Sequence, residues 1–343
     1  MTRVTAMATQ PFTEEELDDV YAFAVQLGKD AGKLLLEAAQ ARFNGSGQGS
    51  QDFSEKDSAV DIVTKADKDV EAFIKTSIAE KYSDHAFVGE ESYSKTCSSR
   101  AYLITESTPT WCVDPLDGTV NYTHLAPMFC VSIALVLGGR PAIGVICAPL
   151  LNQLFTACRG RGAWLNETQR LPLVRHPSVP PMPANAPQGC VFSCEWGKDR
   201  KDRPDGNLHR KVESFLNMAA EVGGRGGKGG MVHGVRSLGS ATLDLAYTAI
   251  GAFDIWWEGG CWEWDVAAGI AILEEAGGLI TTANPPDDPL TSQIDHVELG
   301  SRLYLAIRPA GPSKTESGRE GQERTVREVW RRVRGLDYTR PAA

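Results

Sequence analysis

Apolar positions recur at two different periods along this chain. Leu17, Val20, Tyr21, Ala24, Val25, Leu27, Leu34, Leu35 and Ala38 fall at helical spacing behind Thr13 and Glu16, a capping-box pair. That predicts a helix from Thr13, ending before the glycine-rich break at 44–50. A second helix is expected over about 64–80, with Ala66, Val70, Phe73, Ile74 and Ile78 on one face. The period then shortens. Residues 86–89 and 111–114 read as short strands, and 129–137 with 142–148 as a hairpin around Gly138-Gly139-Arg140-Pro141. Further strands are expected at 154–157 and 160–165.

Prolines at 177, 180, 181, 183 and 187 mark a linker over 176–188. Beyond it, 191–193 reads as a strand and 197–207 as a polar connection. Residues 208–222, 240–250 and 264–276 read as helices, and 279–282 and 303–307 as strands. Residues 1–12 and 310–320 are expected to be disordered, and the basic segment 324–334 to form a solvated helix. The division that follows is an N-terminal half over 13–175, a C-terminal half over 190–310 and a basic tail over 311–343. Strands after an initial helical pair predict a layered α/β architecture rather than a helical bundle or an all-β sandwich.

Composition narrows the chemistry. At 343 residues the chain suits one large domain or two intimately packed ones. A net charge of -9 argues against binding a nucleic acid polymer through its phosphates and is compatible with a site that holds cations. The eight cysteines include no C-x-x-C pair and no neighbouring histidine cluster, so neither a zinc site nor a disulfide framework is expected. Reduced cysteines point to a cytoplasmic protein. Glu14, Glu15, Glu16, Asp18 and Asp19 fall where a signal peptide needs apolar residues. The apolar run at 129–137 is far short of the ~20 residues of a membrane span, so no membrane association is expected.

The informative residues are acidic and sit where strands meet turns: Gly89-Glu90-Glu91-Ser92, Asp114-Pro115-Leu116-Asp117-Gly118-Thr119 and Trp264-Asp265-Val266-Ala267-Ala268. In the second, Pro115 is expected to stop the strand, and Asp117-Gly118 to turn the chain. Two carboxylates converging around a tight turn repel each other unless a cation lies between them, and hard oxygen ligands suit Mg²⁺. Backbone N–H groups at Gly118 and Thr119 could face a phosphate. A plain surface turn is the competing reading, as helix capping is for Asp265 and a solvated loop pair for Glu90 and Glu91.

Taken in order, these three segments resemble the inositol monophosphatase family. The segment Asp61-Ile62-Val63-Thr64-Lys65-Ala66-Asp67 upstream and Arg236-Ser237-Leu238-Gly239-Ser240-Ala241 downstream are similar to two more of its motifs. The resemblance implies a layered αβαβα sandwich and, commonly, a homodimer. It implies that Glu90, Asp114 and the Leu116 carbonyl hold one Mg²⁺, and that Asp114, Asp117 and Asp265 hold a second, with Asp114 bridging. The family allows a third, weaker ion near Glu90. Glu90 and Thr119 would position and activate a metal-bound water, with Asp67 supporting Thr119. Asp117, Gly118, Thr119, Gly239, Ser240, Ala241, Glu258 and Asp265 would line the substrate, Glu258 facing its hydroxyls. Lys56 would lie near the site. The implied activity is Mg²⁺-dependent hydrolysis of inositol monophosphate, of the myo-inositol 1-phosphate type, with sensitivity to lithium. The physics agrees, since cations screen a dianionic ester and no covalent nucleophile is then needed. No G-x-S-x-G elbow is present.

Two alternatives stand beside this. One is a phosphatase for a nucleotide 3′,5′-bisphosphate or another sugar or polyol phosphate. The other is a non-catalytic regulatory protein that retains the fold, against which the complete ligand set argues. The chain also departs from the family over 195–232, where a charged stretch and the glycine-rich 223–230 are inserted. The latter is not a P-loop and reads as a surface loop that could help form a rim. Cys261-Trp262-Glu263-Trp264-Asp265 adds bulk expected to crowd the site entrance. That run, the basic tail and the long chain resemble a fungal branch of the family found with quinate-utilisation genes.

Overall fold

The computed structural model describes residues 12–44, 53–58, 61–96, 101–174 and 178–340. The disorder expected for residues 1–11 and the glycine-rich break at 45–50 lie outside them. Helix α1 (Glu14–Phe43) starts on the Thr13–Glu16 capping box, and a hairpin of β1 (Phe53–Ser58) and β2 (Asp61–Thr64) leads into α2 (Lys65–Lys81), capped by Thr64. The hairpin was not foreseen, because its residues are charged rather than alternating.

A seven-stranded sheet follows, with β3 (Ala86–Gly89), β4 (Thr110–Asp117), β5 (Cys130–Leu137), β6 (Arg140–Ala148), β7 (Gln153–Cys158), β8 (Gly162–Leu165) and β9 (Gln169–Arg170) in sequential order. The short helices α3 (Glu90–Thr96) and α4 (Thr119–Thr123) leave the ends of β3 and β4. The strands expected over 86–165 are all present. Both faces of the sheet are covered, which is why its central strands read as nearly continuous apolar runs. Trp111, Val113, Ile133, Leu135 and Val145 pack with α1 and α2, whereas Cys112, Ala134, Val136 and Ile146 face the opposite layer.

The second half holds β10 (Val191–Ser193), α5 (Asn207–Ala219), the single turn α6 (Gly224–Gly227), β11 (Gly234–Arg236), α7 (Ala241–Ile250), β12 (Ile255–Gly259), α8 (Glu263–Glu275), β13 (Leu279–Thr281), β14 (Leu303–Ile307) and α9 (Gly318–Trp330). Its strands form a sheet of order β11-β10-β12-β14-β13. Helices α7 and α8 lie between the two sheets, and α5 and α9 cover the outer face of the second. The layers therefore run α, β, α, β, α. Gly144 on β6 sets how closely α8 approaches: a Cβ there would lie 2.3 Å from the Ala268 carbonyl oxygen.

Three expectations need correction. Pro115 does not end its strand. Asp114 pairs with Ser132 and Asp117 with Cys130, so a bulge of one extra residue carries the ladder past the missing N–H. No strand is expected in the short connection between the helices at 240–250 and 264–276, yet β12, whose Ile255-Trp256-Trp257 is a β-favouring run, is the central strand of the second sheet.

The C-terminal segment is neither disordered over 310–320 nor solvated beyond it. The Gly311 N–H donates to the Pro180 carbonyl, a Ser317–Glu320 capping box starts α9, and Glu316 pairs with Arg324. Val326, Val329 and Trp330 are buried against Phe192, Trp257 and Ile307, and the Trp330 indole donates to the Thr282 carbonyl at 3.0 Å. The arginines lie on the outer side of an apolar stripe. Trp330→Ala should therefore cost about 3–5 kcal/mol of unfolding free energy, as a core truncation does, measured by denaturant titration. A loss below about 1 kcal/mol would return the helix to the surface.

Candidate active site

The bulge in β4 turns its carboxylates toward the space between the sheets. Asp114 is buried, and its Oδ1 accepts the Leu116 N–H at 2.9 Å across the bulge. Asp117 closes the strand, and Gly118, at φ +85°, lets the chain turn sharply into α4. From the other half, α7 and α8 point their N-termini at the same space. Asp117 Oδ2 accepts from the Ser240 hydroxyl and from the Thr242 N–H at 3.0 Å. Asp265, in the first turn of α8, accepts the Trp262 N–H at 2.7 Å. It does act as a cap, but Asp114, Asp117 and Asp265 also place one carboxylate oxygen each within 4.8 Å of one another. Glu90, at the start of α3, lines the same cleft of about 430 Å³.

The electrostatics follow from that crowding. Burial first, then Glu90, Asp117 and Asp265, hold the Asp114 pKa well above the ordinary carboxylate range. Burial lifts Asp117 to about 6 against its hydrogen bonds from Ser240 and Thr242. Burial and Asp117 lift Asp265 to about 8, with Lys198 pulling the other way. Such a set of hard oxygen donors, each penalised for its charge, fits a small divalent cation such as Mg²⁺.

Each of these carboxyls holds its proton more tightly in the folded chain than an unfolded carboxyl, whose pKa is near ~4. Without metal, the folded chain binds more protons over that window, so stability is lost as pH rises from about 4 through about 8. A bound cation opposes the shifts. Mg²⁺ should thus raise Tm more at pH 8 than at pH 5, read by thermal melts against chelator, and equal gains at both would contradict this reading.

Beside the cluster, the Thr119 hydroxyl donates to the Leu116 carbonyl at 3.0 Å, with Asp67 Oδ1 at 3.4 Å. Asp67 is buried, accepts from the Thr64 hydroxyl at 2.5 Å and from the Thr64 N–H at 2.8 Å, and is pushed by burial to about 7. Gly239, Ser240 and Ala241 line the cleft opposite Gly118 and Thr119. The Lys56 backbone lies on β1, but its side chain is outside the described residues.

Glu258 lines the far end of the cleft and is not a solitary acceptor. Lys211 of α5 donates to Oε1, which also receives the Gly259 N–H at 2.9 Å, and Oε2 receives the Glu195 N–H at 2.7 Å. Glu195 in turn accepts from the Ser237 hydroxyl at 2.6 Å and the Gly239 N–H at 2.8 Å, holding the turn that precedes α7. Sequence reasoning passed over both residues. Glu195 carries the signal that flagged Glu90, a carboxylate just beyond a strand. Lys211 carries none, because its partner is distant in sequence.

The inserted stretch divides. The glycine-rich 223–230 does not line the cleft, in keeping with a surface loop rather than a rim, whereas Trp196, Gly197, Lys198 and Arg200 do. Trp262 and Glu263 do not crowd the entrance. Arg302 stacks on Trp262 at 3.7 Å, and Glu263 is buried against Arg340. Both side chains are claimed by cationic partners behind the cleft, and Cys261 is what faces it.

Fold and site define an αβαβα sandwich with an acidic, cation-fitting cluster between its sheets. The family model described as "Inositol monophosphatase family" matches residues 16–334, and the chain belongs to that family. It is 73% identical over 344 residues to quinic acid degradation cluster protein x of Neurospora crassa, covering 98% of this chain and 100% of the relative. It is 38% identical to inositol monophosphatase 2 of Saccharomyces cerevisiae, covering 83% of this chain and 87% of that one. Among solved structures, an inositol monophosphatase from Anabaena (Nostoc) sp. matches with a TM-score of 0.65 at 25% identity, covering 94% and 98% of the two chains. Family membership supports a phosphatase activity on inositol or sugar phosphates, in a family that is generally dependent on divalent metal. Among the described residues, no helix is long and apolar enough to cross a membrane.

Proposed function

We propose that this protein is a Mg²⁺-dependent phosphomonoesterase that hydrolyses inositol monophosphate to inositol and phosphate. The observation that carries the proposal is the convergence of Asp114, Asp117 and Asp265 within 4.8 Å, from two halves of the chain. In this reading Glu90, Asp114 and the Leu116 carbonyl hold one ion, and Asp114, Asp117 and Asp265 hold another. Bound Mg²⁺ screens the dianionic ester, lowers the pKa of water and stabilises the leaving alkoxide.

The chain's own groups do the rest. Thr119 orients the attacking water through a hydroxyl already anchored on the Leu116 carbonyl, with Asp67 beside it as a buried group able to hold a proton. Glu90 is the neighbouring base. Backbone N–H groups at Gly118, Thr119 and Ala241 face the phosphate and the ring. Ser240 acts one step back, by holding Asp117. Glu258 offers its remaining lone pairs to substrate hydroxyls, kept in place by Lys211. The likeness to the family adds two expectations: a homodimer, and inhibition by Li⁺ competing for a Mg²⁺ position.

Phosphate release from inositol 1-phosphate, with and without Mg²⁺ and beside a nucleotide 3′,5′-bisphosphate, tests this. Mg²⁺-dependent release from the inositol ester is the expected result. Release from the bisphosphate alone would move the substrate class. Release from neither would leave another polyol phosphate or the non-catalytic reading. Another polyol phosphate is the second reading, favoured by a relative at 73% identity that is named for quinic acid degradation rather than for inositol.

A further inference from the structure

The last described residues run behind the cleft rather than away from it. Residues 335–340 come after α9 and lie beyond 334, where the match to the family model stops. Two asparagines pin them, each by both backbone groups of one residue. Asn284 accepts the Leu336 N–H at 2.7 Å and donates to its carbonyl at 2.9 Å. Asn207 accepts the Asp337 N–H at 2.7 Å and donates to its carbonyl at 2.9 Å. Arg340 then donates to the Gly300 carbonyl at 3.0 Å and pairs with the buried Glu263.

Between these anchors lies Tyr338, which is buried and does not itself line the cleft. It packs against three glycines that do, Gly197, Gly259 and Gly260. A Cβ on Gly259 would lie 2.8 Å from Tyr338 Cδ2, one on Gly260 2.9 Å from Cε1, and one on Gly197 2.8 Å from the hydroxyl. The wall at this end of the cleft is therefore bare backbone laid directly on a tyrosine. Gly259 follows Glu258, and the Lys211 ammonium that holds Glu258 lies 5.8 Å from the centre of the Tyr338 ring.

We propose that Tyr338 is a positioning residue for the end of the cleft that meets substrate hydroxyls, and that residues 335–340 are the strap that keeps it there. The proposal rests on the phosphatase reading and on Glu258 as the group facing those hydroxyls. Tyr338 acts through Gly259 and Lys211, which bond the same Glu258 oxygen. Glycine has more backbone freedom to lose than any other residue, so a wall of glycines keeps one shape only where something solid backs it. Removing the ring leaves a void behind the wall, into which the backbone and Glu258 relax. Asp114 and Asp117 stand on β4, in the other sheet, so the same loss should spare cation binding.

Two esters test it: inositol 1-phosphate, and ethyl phosphate, which has no hydroxyl for Glu258 to meet. Phosphate release with Mg²⁺, calorimetric binding and the Mg²⁺-induced rise in Tm are measured for the wild-type protein and for Y338A, Y338F and N284A. Y338A should raise KM for inositol 1-phosphate by about tenfold, the scale of one hydrogen bond to a charged group, with kcat changed far less. Its kcat/KM for ethyl phosphate and its rise in Tm should stay at the wild-type values. Y338F should keep the wild-type KM, because the ring rather than the hydroxyl meets Gly259 and Gly260. N284A frees the strap at Leu336 without removing the ring, so it should move KM the same way by less, and it decides the matter if Y338A does not fold. Equal losses on both esters, or a fall in kcat at constant KM, make Tyr338 merely structural and overturn the proposal. So does a wild-type KM in Y338A, or in N284A where Y338A does not fold. Weaker binding of inositol 1-phosphate to Y338A, with no release from either ester by the wild-type protein, keeps the strap and removes the phosphatase reading. Release that the substitutions leave untouched does the reverse, and neither binding nor release by the wild-type protein overturns both.

Discussion

Asp114→Asn should reduce Mg²⁺-dependent phosphate release by about 10³-fold or more while leaving the fold intact, because in the proposed reading Asp114 would help to hold both ions. The amide oxygen can still accept the Leu116 N–H that bridges the bulge, so the local backbone keeps its contact. The same change takes one acid, the buried Asp114, out of a crowded group with the half-buried Glu90, Asp117 and Asp265, where burial and then the neighbouring carboxylates raise its pKa. The variant should therefore melt no lower than the wild-type protein when metal is chelated. What it should lose is the rise in Tm on adding Mg²⁺, which for a wild-type site at 100 times its Kd is worth about 2.7 kcal/mol. Near-normal turnover with a preserved Mg²⁺-induced rise would mean that the metal ligands have been misassigned.

Lys211→Met should be among the most damaging single changes away from the acidic cluster. Lys211 and Glu258 are exposed by only 4% and 2% in their side chains, and removing the cation leaves a buried carboxylate without its counter-charge. Breaking such a pair typically costs about 3–5 kcal/mol. The Glu195 and Gly259 N–H groups would still bind Glu258, so the disturbance should spread to the turn before α7 through Glu195. Burial already raises the Glu258 pKa, with Lys211 opposing it. Without Lys211 the pKa rises further, so the penalty should shrink as pH falls and Glu258 takes up a proton in the fold. Adding Glu258→Gln should recover much of the loss, and denaturant titration of the two single variants and the double closes the cycle. A Lys211→Met cost below about 1 kcal/mol, or a double variant worse than the sum of the singles, would show that the two charges are not coupled as their contact implies.

Much of the first half was legible because its signals are local. The Thr13–Glu16 capping box, the hairpin of β5 and β6, and the carboxylates just beyond β3 and within β4 all depend on residues a few positions apart. The bulge at Pro115 was misread, because whether a proline ends a strand or is bulged out depends on the partner strand β5. Helix α9 was misread because charge was weighed above period. Val326, Val329 and Trp330 mark an apolar stripe, and the arginines occupy the other face.

The sequence by itself determined the helices and strands with strong periodicity, the caps that begin them, and the acidic residues placed where strands give way to turns. Backbone geometry and nearest-neighbour hydrogen bonding decide such features, and these act over one or two turns of chain. Only the tertiary structure decided which of those residues meet. Asp117 is seated on Ser240, 123 residues away, and Glu258 on Lys211, 47 residues away. Trp262 and Glu263 are turned out of the cleft by Arg302 and Arg340. Contacts of that kind form once the layers close and water is excluded between them, and the cost of burying an unpaired charge then selects the partner.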